Sequence, residues 1–450
     1  MASLAGAIGW PLIALVVLVL FFGAVRHLSQ AGMPLFVVDE HVHTDYVAHL
    51  WDGQLPTRGS VYSPRVVYEA NCGVGLVSPP PPGCAGTQLK GAYSSAYIHY
   101  PTFFALAALI AGVPSGSGVD ITGLRTYSAL VLLAGLLSLW LLGYAAHLKG
   151  AHLAALVTVP SAAAIFFRMG AYFNPSSASL VLGSLTAAGG FLWLRSKRGY
   201  WFFLFATLLS GITAVTSALP AGAIVAYGLW VWGCRVLRRP RAIAWQPTWW
   251  QLGAASGAVI VPWFLWGRWI SGSATVGNAD LYAFAPVKSI GQVARGMALE
   301  ALSFHSPWFP EPAGTKPATP SVWFSFAADV QQVLPAVITI LVLGALITTA
   351  IMRGPTSETT PETPERNDLL GVATAAVLVL WAYPPGLRLT NAVTFGMDVG
   401  IVSRYSMSLA PLLVVLALRL VPQRVYAWLL ALAGLVMMAA MAYAPPIPAF

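Results

Sequence analysis

Residues 124–146 read LRTYSALVLLAGLLSLWLLGYAA. Beyond Arg125 this stretch carries no charge. At roughly 1.5 Å of rise per residue it is long enough to cross the roughly 30 Å apolar core of a bilayer as a single helix. Working outward in both directions, apolar runs of the same kind recur near 8–26, 151–170, 176–194, 200–217, 219–236, 249–270, 331–352, 369–386, 405–421 and 425–444. The expected fold is therefore an all-α polytopic membrane protein of about eleven transmembrane helices, with 1–450 forming one transmembrane domain. Composition agrees: 57% of the 450 residues are hydrophobic and 9% are charged, where a soluble domain carries about a quarter charged residues. A soluble chain could not hide so much apolar surface, which excludes a soluble multidomain organisation. Trp10 to Phe22 has no basic segment before it and no small-residue cleavage site after it. It reads as a retained first span, not a removed signal peptide.

The stretch 98–113 is also apolar, but its core from Thr102 to Val113 is too short to cross and suits an interfacial or re-entrant helix. Orientation favours that choice. With the N-terminus inside and 98–113 not spanning, Lys149, the cluster Arg195-Ser196-Lys197-Arg198, the cluster from Arg235 to Arg241, Arg353 with Arg366, and Arg419 with Arg424 all become cytoplasmic. Counting 98–113 as a span would send the two densest clusters outside, against the positive-inside rule. The formal charge of +9 thus belongs to short membrane-flanking loops, and nucleic acid is not an expected partner. Three extracytoplasmic segments follow, at 27–123 (with juxtamembrane helices), 271–330 and 384–404. The cytoplasmic loops are short; the longest, 353–368, is rich in Pro, Thr and Glu and reads as mobile. The expected location is the plasma membrane, with the chemistry on the outer face.

The first outer segment contains Asp39-Glu40-His41-Val42-His43-Thr44-Asp45. Val42, Tyr46 and Leu50 recur at helical spacing, and His41, Asp45, His49 and Asp52 share another face, which predicts an amphipathic helix on the membrane surface. Asp39 either caps that helix or acts, with Glu40, as a carboxylate held at the surface for general-base work. His41, His43 and Asp45 could be metal ligands, but their spacing matches no strong metal motif and no metal site is assigned. Arg125, Arg168, Arg388 and Arg404 fall at the same outer boundary in this topology. Singly, each reads as a snorkelling arginine; together they form a set of guanidinium groups suited to phosphate. His305 and Trp308 could stack on a sugar ring, with an interfacial aromatic belt as the preferred reading. Cys72 and Cys84 lie in one polar loop, and an oxidising exterior would favour a disulfide between them.

Taken in order, these pieces resemble the GT-C superfamily of integral membrane glycosyltransferases. Asp39-Glu40-x-x-His43 resembles its acidic signature after the first span, and Tyr97-Ile98-His99-Tyr100-Pro101-Thr102-Phe103-Phe104 its His/Pro-rich approach to a juxtamembrane helix. Leu124-Arg125-Thr126-Tyr127-Ser128-Ala129-Leu130 is similar to the start of its second span, Tyr172-Phe173-Asn174-Pro175 to an outer turn, and Ser403-Arg404-Tyr405 followed by Pro411 to a late Arg-Tyr element. The likeness covers most of the chain and is nearest to an uncharacterised bacterial branch with an Asp-Glu-x-x-His signature. Thr102 stands where a second Pro or Leu is common, Ser176 where an Asp often follows Asn-Pro, and no soluble C-terminal domain is expected.

The resemblance implies an inverting transferase that moves a sugar from a polyprenyl-phosphate donor to a hydroxyl on a cell-envelope glycan, lipid or protein, among membrane lipids. It implies Asp39 or Glu40 as base, and Arg404, Arg125, Arg388, Arg168, His43, Tyr100 and Tyr405 as the substrate- and phosphate-binding set. No particular cofactor is assigned, and a divalent cation (Mg2+ or Mn2+) stays open. The Ala/Gly/Pro/Arg-rich composition suits a high-GC bacterium, where lipid-linked arabinose or mannose are natural donors. Three readings compete: a transporter or flippase, which would place ionisable groups within spans; a ligase of lipid-linked glycans; and a non-catalytic scaffold.

Overall fold

The computed structural model describes residues 23, 35, 39–75, 89–161, 169–237, 245–276, 287, 289–303, 305–308, 322–351, 364–398, 400, 401 and 403–443. Among them there is no strand, and Val61 and Tyr93 form an isolated antiparallel bridge. The α-helices are α1 (Glu40–Trp51), α2 (Pro64–Cys72), α3 (Pro101–Ala111), α4 (Ile121–Ala145), α5 (Ala151–Ser161), α6 (Ala178–Arg195) and α7 (Gly199–Thr213). They continue with α8 (Leu219–Val236), α9 (Trp249–Gly272), α10 (Ile290–Leu302), α11 (Val322–Ile351), α12 (Pro364–Phe395), α13 (Ala410–Leu420) and α14 (Arg424–Tyr443).

Five segments are long and apolar enough to cross a membrane: Ile121–Ala145, Pro175–Arg195, Val215–Val236, Val333–Ile351 and Glu365–Thr394. They coincide with expected spans, and the protein is an α-helical membrane protein. Apolar side chains such as Leu109, Tyr144, Phe205, Ile260, Phe264 and Leu265 stand exposed on its surface, as lipid-facing helices require. The other expected spans resolve differently. Within 151–170 the described residues are helical at Ala151–Ser161 and at 169–171, with 162–168 outside the described residues; 200–217 contains the shorter apolar helix Gly199–Thr213, and 425–444 is matched by the 20-residue α14. Helix α9 has 24 residues, but Gln251, Arg268 and its glycines and tryptophans dilute its hydropathy. The first expected span lies outside the described residues apart from Gly23.

Three expectations need correction. The expected span 405–421 is a 3-10 segment, Ser403–Leu409, followed by the 11-residue α13. The 3-10 segment of 7 residues and the 11 residues of α13 run on without a break, and at roughly 2.0 and 1.5 Å of rise per residue they span about 30 Å together, so the correction is to the helix type and not to the length. Apart from Arg419 in its last turn, α13 is apolar on every face, and its apolar residues are buried almost completely among α5, α6, α11 and α12, so it forms the centre of the bundle. Gly183 of α6 permits this: a Cβ there would come within 2.2 Å of the Ser408 carbonyl oxygen. Second, the expected outer segment from 384 begins as helix, because α12 runs on through Pro384 and Pro385 to Phe395. Third, 364–368 of the expected mobile loop form the first turn of α12, while 352–363 lie outside the described residues.

Helix α3 is short, as read from the sequence. Pro101 begins it, where its fixed φ and missing N–H cost nothing. It buries Phe103, Phe104 and Ala107 and exposes Leu106, Leu109 and Ile110. Trp51 Nε1 donates to the Ala108 carbonyl at 3.1 Å and Thr102 Oγ1 to that of Ile212 at 2.7 Å, docking α3 between α1 and α7.

Candidate active site

Helix α1 is built from polar residues yet is buried: Glu40, His43, Thr44 and Asp45 are at most 3% exposed. The amphipathic surface helix expected here is thus corrected. The polar residues are inside because non-local partners meet them. Asp45 Oδ1 accepts from the backbone N–H of Ser63 at 2.7 Å, where Ser63 itself caps α2. Burial alone would lower the His49 pKa, but the Asp45 carboxylate beside it and the Val61 carbonyl at 3.2 Å raise it instead. Asp45 is therefore committed to α2 and His49, and does not join His41 and His43. Among the described residues no group of three or more His, Cys, Asp or Glu side chains is arranged to hold a metal ion.

Asp39 and Glu40 are consecutive and meet opposite fates. Glu40 is fully buried. Arg125 grips it with two hydrogen bonds, Nε to Oε1 at 2.9 Å and Nη2 to Oε2 at 2.7 Å, and the Phe173 N–H adds a third to Oε1 at 2.7 Å. Burial pushes the Glu40 carboxyl above its ordinary pKa, against the opposing charge and hydrogen bonds of Arg125 and the Phe173 N–H. The Arg125 guanidinium lies over the Tyr172 ring, 5.4 Å from its centroid. Glu40 thereby ties α1 to α4 and to the turn at 171–174. That turn is fixed in its own right, since Asn174 Oδ1 accepts from the Ser176 N–H at 2.9 Å to cap Pro175–Ser177.

Asp39 occupies the N-cap position of α1 with φ 64° and ψ 21°, in the left-handed region, and its side chain makes no capping hydrogen bond. An aspartate tolerates that region better than most residues, yet it still costs energy. The capping role weighed from the sequence is thus not what this side chain does. Its carboxylate is 54% exposed and meets Arg404, Oδ2 to Nη2 at 3.1 Å. Arg404 in turn sits over Tyr405, 5.3 Å from the ring centroid.

A wall of rings adjoins this pair. His43 and His99 meet edge to face at 4.7 Å between centroids, and Phe104 packs on both at 5.9 and 5.7 Å. Burial holds both imidazoles below their ordinary pKa; for His43 the neighbouring His99 and Arg404 add to it, and His99 falls to about 4. His41 is lowered by burial too, opposed by Asp39 and Asp45. Tyr100 is buried and approaches Trp266, 5.8 Å between ring centroids.

No family model matches the chain, and neither curated proteins nor solved structures yield a match. The site is therefore read from its own geometry.

Of the residues singled out from the sequence, Asp39, Glu40, His43, Tyr100, Arg125, Arg404 and Tyr405 converge at one end of the bundle. Arg388 does not join them. Its Nε donates to Asp398 at 2.6 Å and its Nη1 to Glu300 at 3.1 Å. Glu300 also accepts the Ile401 N–H at 3.0 Å and lies 3.0 Å from His305 Nε2. Gly296 leaves room for this guanidinium, since a Cβ there would lie 2.2 Å from Arg388 Cζ. This cluster staples α10, α12 and the 398–401 segment together. Trp308 is wholly buried in the main core, so it neither lines a belt nor faces a sugar. Arg168 and Cys84 lie outside the described residues, and Cys72 closes α2. Sequence reading passed over Glu300, Asp398 and the pairing of His99 with His43. The available signal was scarcity: the chain has 15 acidic residues and 8 histidines, and any of them inside an apolar segment needs a partner.

Proposed function

We propose that the protein is a membrane glycosyltransferase of the GT-C kind, moving a sugar from a polyprenyl-phosphate donor to an acceptor hydroxyl, with Asp39 as general base. In this reading the chain has about eleven spans and carries the site on the extracytoplasmic face of the plasma membrane. The observation that carries it is the contrast between adjacent carboxylates. Glu40 has both oxygens occupied, so it is a strut, whereas Asp39 is exposed, held in a strained backbone conformation and set against Arg404. Strain kept at an exposed carboxylate is what a working group, not a structural one, would retain.

The chemistry follows from those atoms. The acceptor oxygen attacks C1 of the sugar while Asp39 takes its proton. The bond from C1 to the phosphate oxygen breaks, both electrons leaving with the phosphate, and inversion results. The polyprenyl phosphate departs as an anion needing no proton, stabilised by the Arg404 guanidinium. Asp39 then loses its proton to water. Arg125 acts indirectly, by holding Glu40 and with it the start of α1; Arg388 supports the segment leading to Arg404.

The test is transfer from a panel of radiolabelled polyprenyl-phosphate sugars in membranes holding wild-type protein or Asp39→Asn. Product from one donor that disappears with Asp39→Asn supports the reading. Folded wild-type protein that transfers from no donor, with an acceptor-rich extract supplied, turns the assignment toward transport or ligation.

A further inference from the structure

Arg404 is presented by a stretch of chain that does not position it unaided. Between Phe395, where α12 ends, and Ser403, where the 3-10 segment begins, the described residues belong to no helix. Such a stretch has no ladder of its own, so its buried N–H and C=O groups take partners from elsewhere. Ile401, three residues before Arg404, is buried, and side chains distant in sequence meet both of its backbone groups. Its N–H donates to Glu300 Oε1 at 3.0 Å, and its carbonyl lies 2.8 Å from His305 Nε2. A carbonyl only accepts, so Nε2 carries the ring hydrogen. On the other side of Arg404, Ser406 is fully buried and its Oγ donates to the His305 carbonyl at 3.3 Å. His305 thus grips the chain on both flanks of Arg404, with its side chain before and its backbone after. His305 is itself anchored, because Ser306 Oγ meets Thr339 Oγ1 of α11 at 2.7 Å and Trp308 is wholly buried.

We propose that His305 is a positioning residue for Arg404. By fixing Ile401 and Ser406 it holds the guanidinium 3.1 Å from Asp39 and in reach of the donor phosphate, a role that rests on the transferase reading above. Glu300 shares the grip on Ile401, but it also pairs with Arg388 of α12, so its loss would disturb that helix as well. His305 is the cleaner probe. Phenylalanine keeps a ring and removes the N–H, whereas glutamine returns an N–H donor at similar reach.

The experiment measures binding of polyprenyl phosphate to the full-length protein in nanodiscs. Wild type, His305→Phe, Arg404→Ala and the double variant form a cycle, with His305→Gln alongside. The expected result is about tenfold weaker binding for His305→Phe and near-wild-type binding for His305→Gln. Adding His305→Phe to Arg404→Ala should bring no further loss, because the two act through one group. An equal loss in both backgrounds marks general damage to the fold and overturns the inference. So does unchanged binding by His305→Phe, or binding by His305→Gln as weak as that by His305→Phe. If His305→Phe does not fold, the same cycle is run with Ser406→Ala, which releases the other flank. A loss confined to protein that retains Arg404 then supports the inference, and an equal loss or none overturns it. Wild-type protein that does not bind polyprenyl phosphate, or binds it no better than Arg404→Ala, overturns the transferase reading itself and this inference with it.

Discussion

Glu40–Arg125 and Asp39–Arg404 are two carboxylate–guanidinium pairs whose acids are neighbours in the chain, and they could hardly differ more. The first is buried, 0% and 1% exposed, and saturated with hydrogen bonds. The second is open, with Asp39 54% exposed and its backbone left-handed. At the opposite end of α4 and α6 stands a third arrangement. There Glu365 is shared by Arg195 at 3.3 Å and Arg419 at 2.9 Å, beside a cavity of about 220 Å³ also lined by Asp368. Asp368 accepts from Tyr227 Oη at 2.7 Å and the Trp245 N–H at 3.0 Å, and Arg195 donates to the carbonyl that ends α4. Residue type does not separate these pairs. Burial and hydrogen bonding do: a buried carboxylate with both oxygens engaged, as Glu40 is by three hydrogen bonds, holds helices together, and an exposed one with an oxygen free can take a proton.

The comparison can be broken most directly at Asp39. Asp39→Asn should lower transfer by roughly 10²–10⁴-fold, the range of a general base, with the melting temperature in detergent unchanged. Glu40→Gln should do the reverse in kind. Leaving Arg125 buried without its anion should cost about 3–5 kcal/mol of stability, read as a lower melting temperature, with activity falling only as folded protein is lost. Replacing both partners by apolar residues, Glu40→Leu with Arg125→Met, should restore part of that stability. Acid should sharpen the picture next. Burial holds His43 and His99 below the ordinary imidazole value, His99 at about 4, so the unfolded chain takes up protons that the folded chain refuses. The stability these groups contribute is complete above about pH 6.5 and is lost as pH falls toward 4. His43→Asn and His99→Gln should flatten the melting profile over that window. The smallest effect is expected from Glu365→Gln. Its side chain is 53% exposed, and loss of its pairs should change stability by about 1 kcal/mol or less, visible as a minor shift in melting temperature.

Much of this architecture was legible in the sequence because apolar length is a local property. The five long apolar helices stand where runs such as 124–146 predicted them, and α3 is short because the apolar core after Pro101 is short. What depends on partners distant in sequence was not legible. The polar face of α1 reads as solvent-facing until Ser63, Arg125 and Phe173 are seen to meet Asp45 and Glu40. Arg388 and Arg404 look alike as boundary arginines, and their partners tell them apart: Asp398 and Glu300, the latter 88 residues away, for Arg388, and Asp39 for Arg404. Likewise 405–421 is apolar enough for a span, but Ser408 bonds to the Thr216 carbonyl at 2.7 Å and the chain there winds as a 3-10 segment before α13.

The central claim is that adjacent residues divide labour between chemistry and structure, and one paired measurement bears on it most directly. Asp39→Asn and Glu40→Gln would be purified side by side, with melting temperature and sugar transfer recorded for each. The account predicts an unaltered melting temperature with transfer abolished for Asp39→Asn, and a depressed melting temperature with transfer retained per folded molecule for Glu40→Gln. Full transfer by Asp39→Asn, or abolished transfer by a Glu40→Gln protein that melts like wild type, would contradict it.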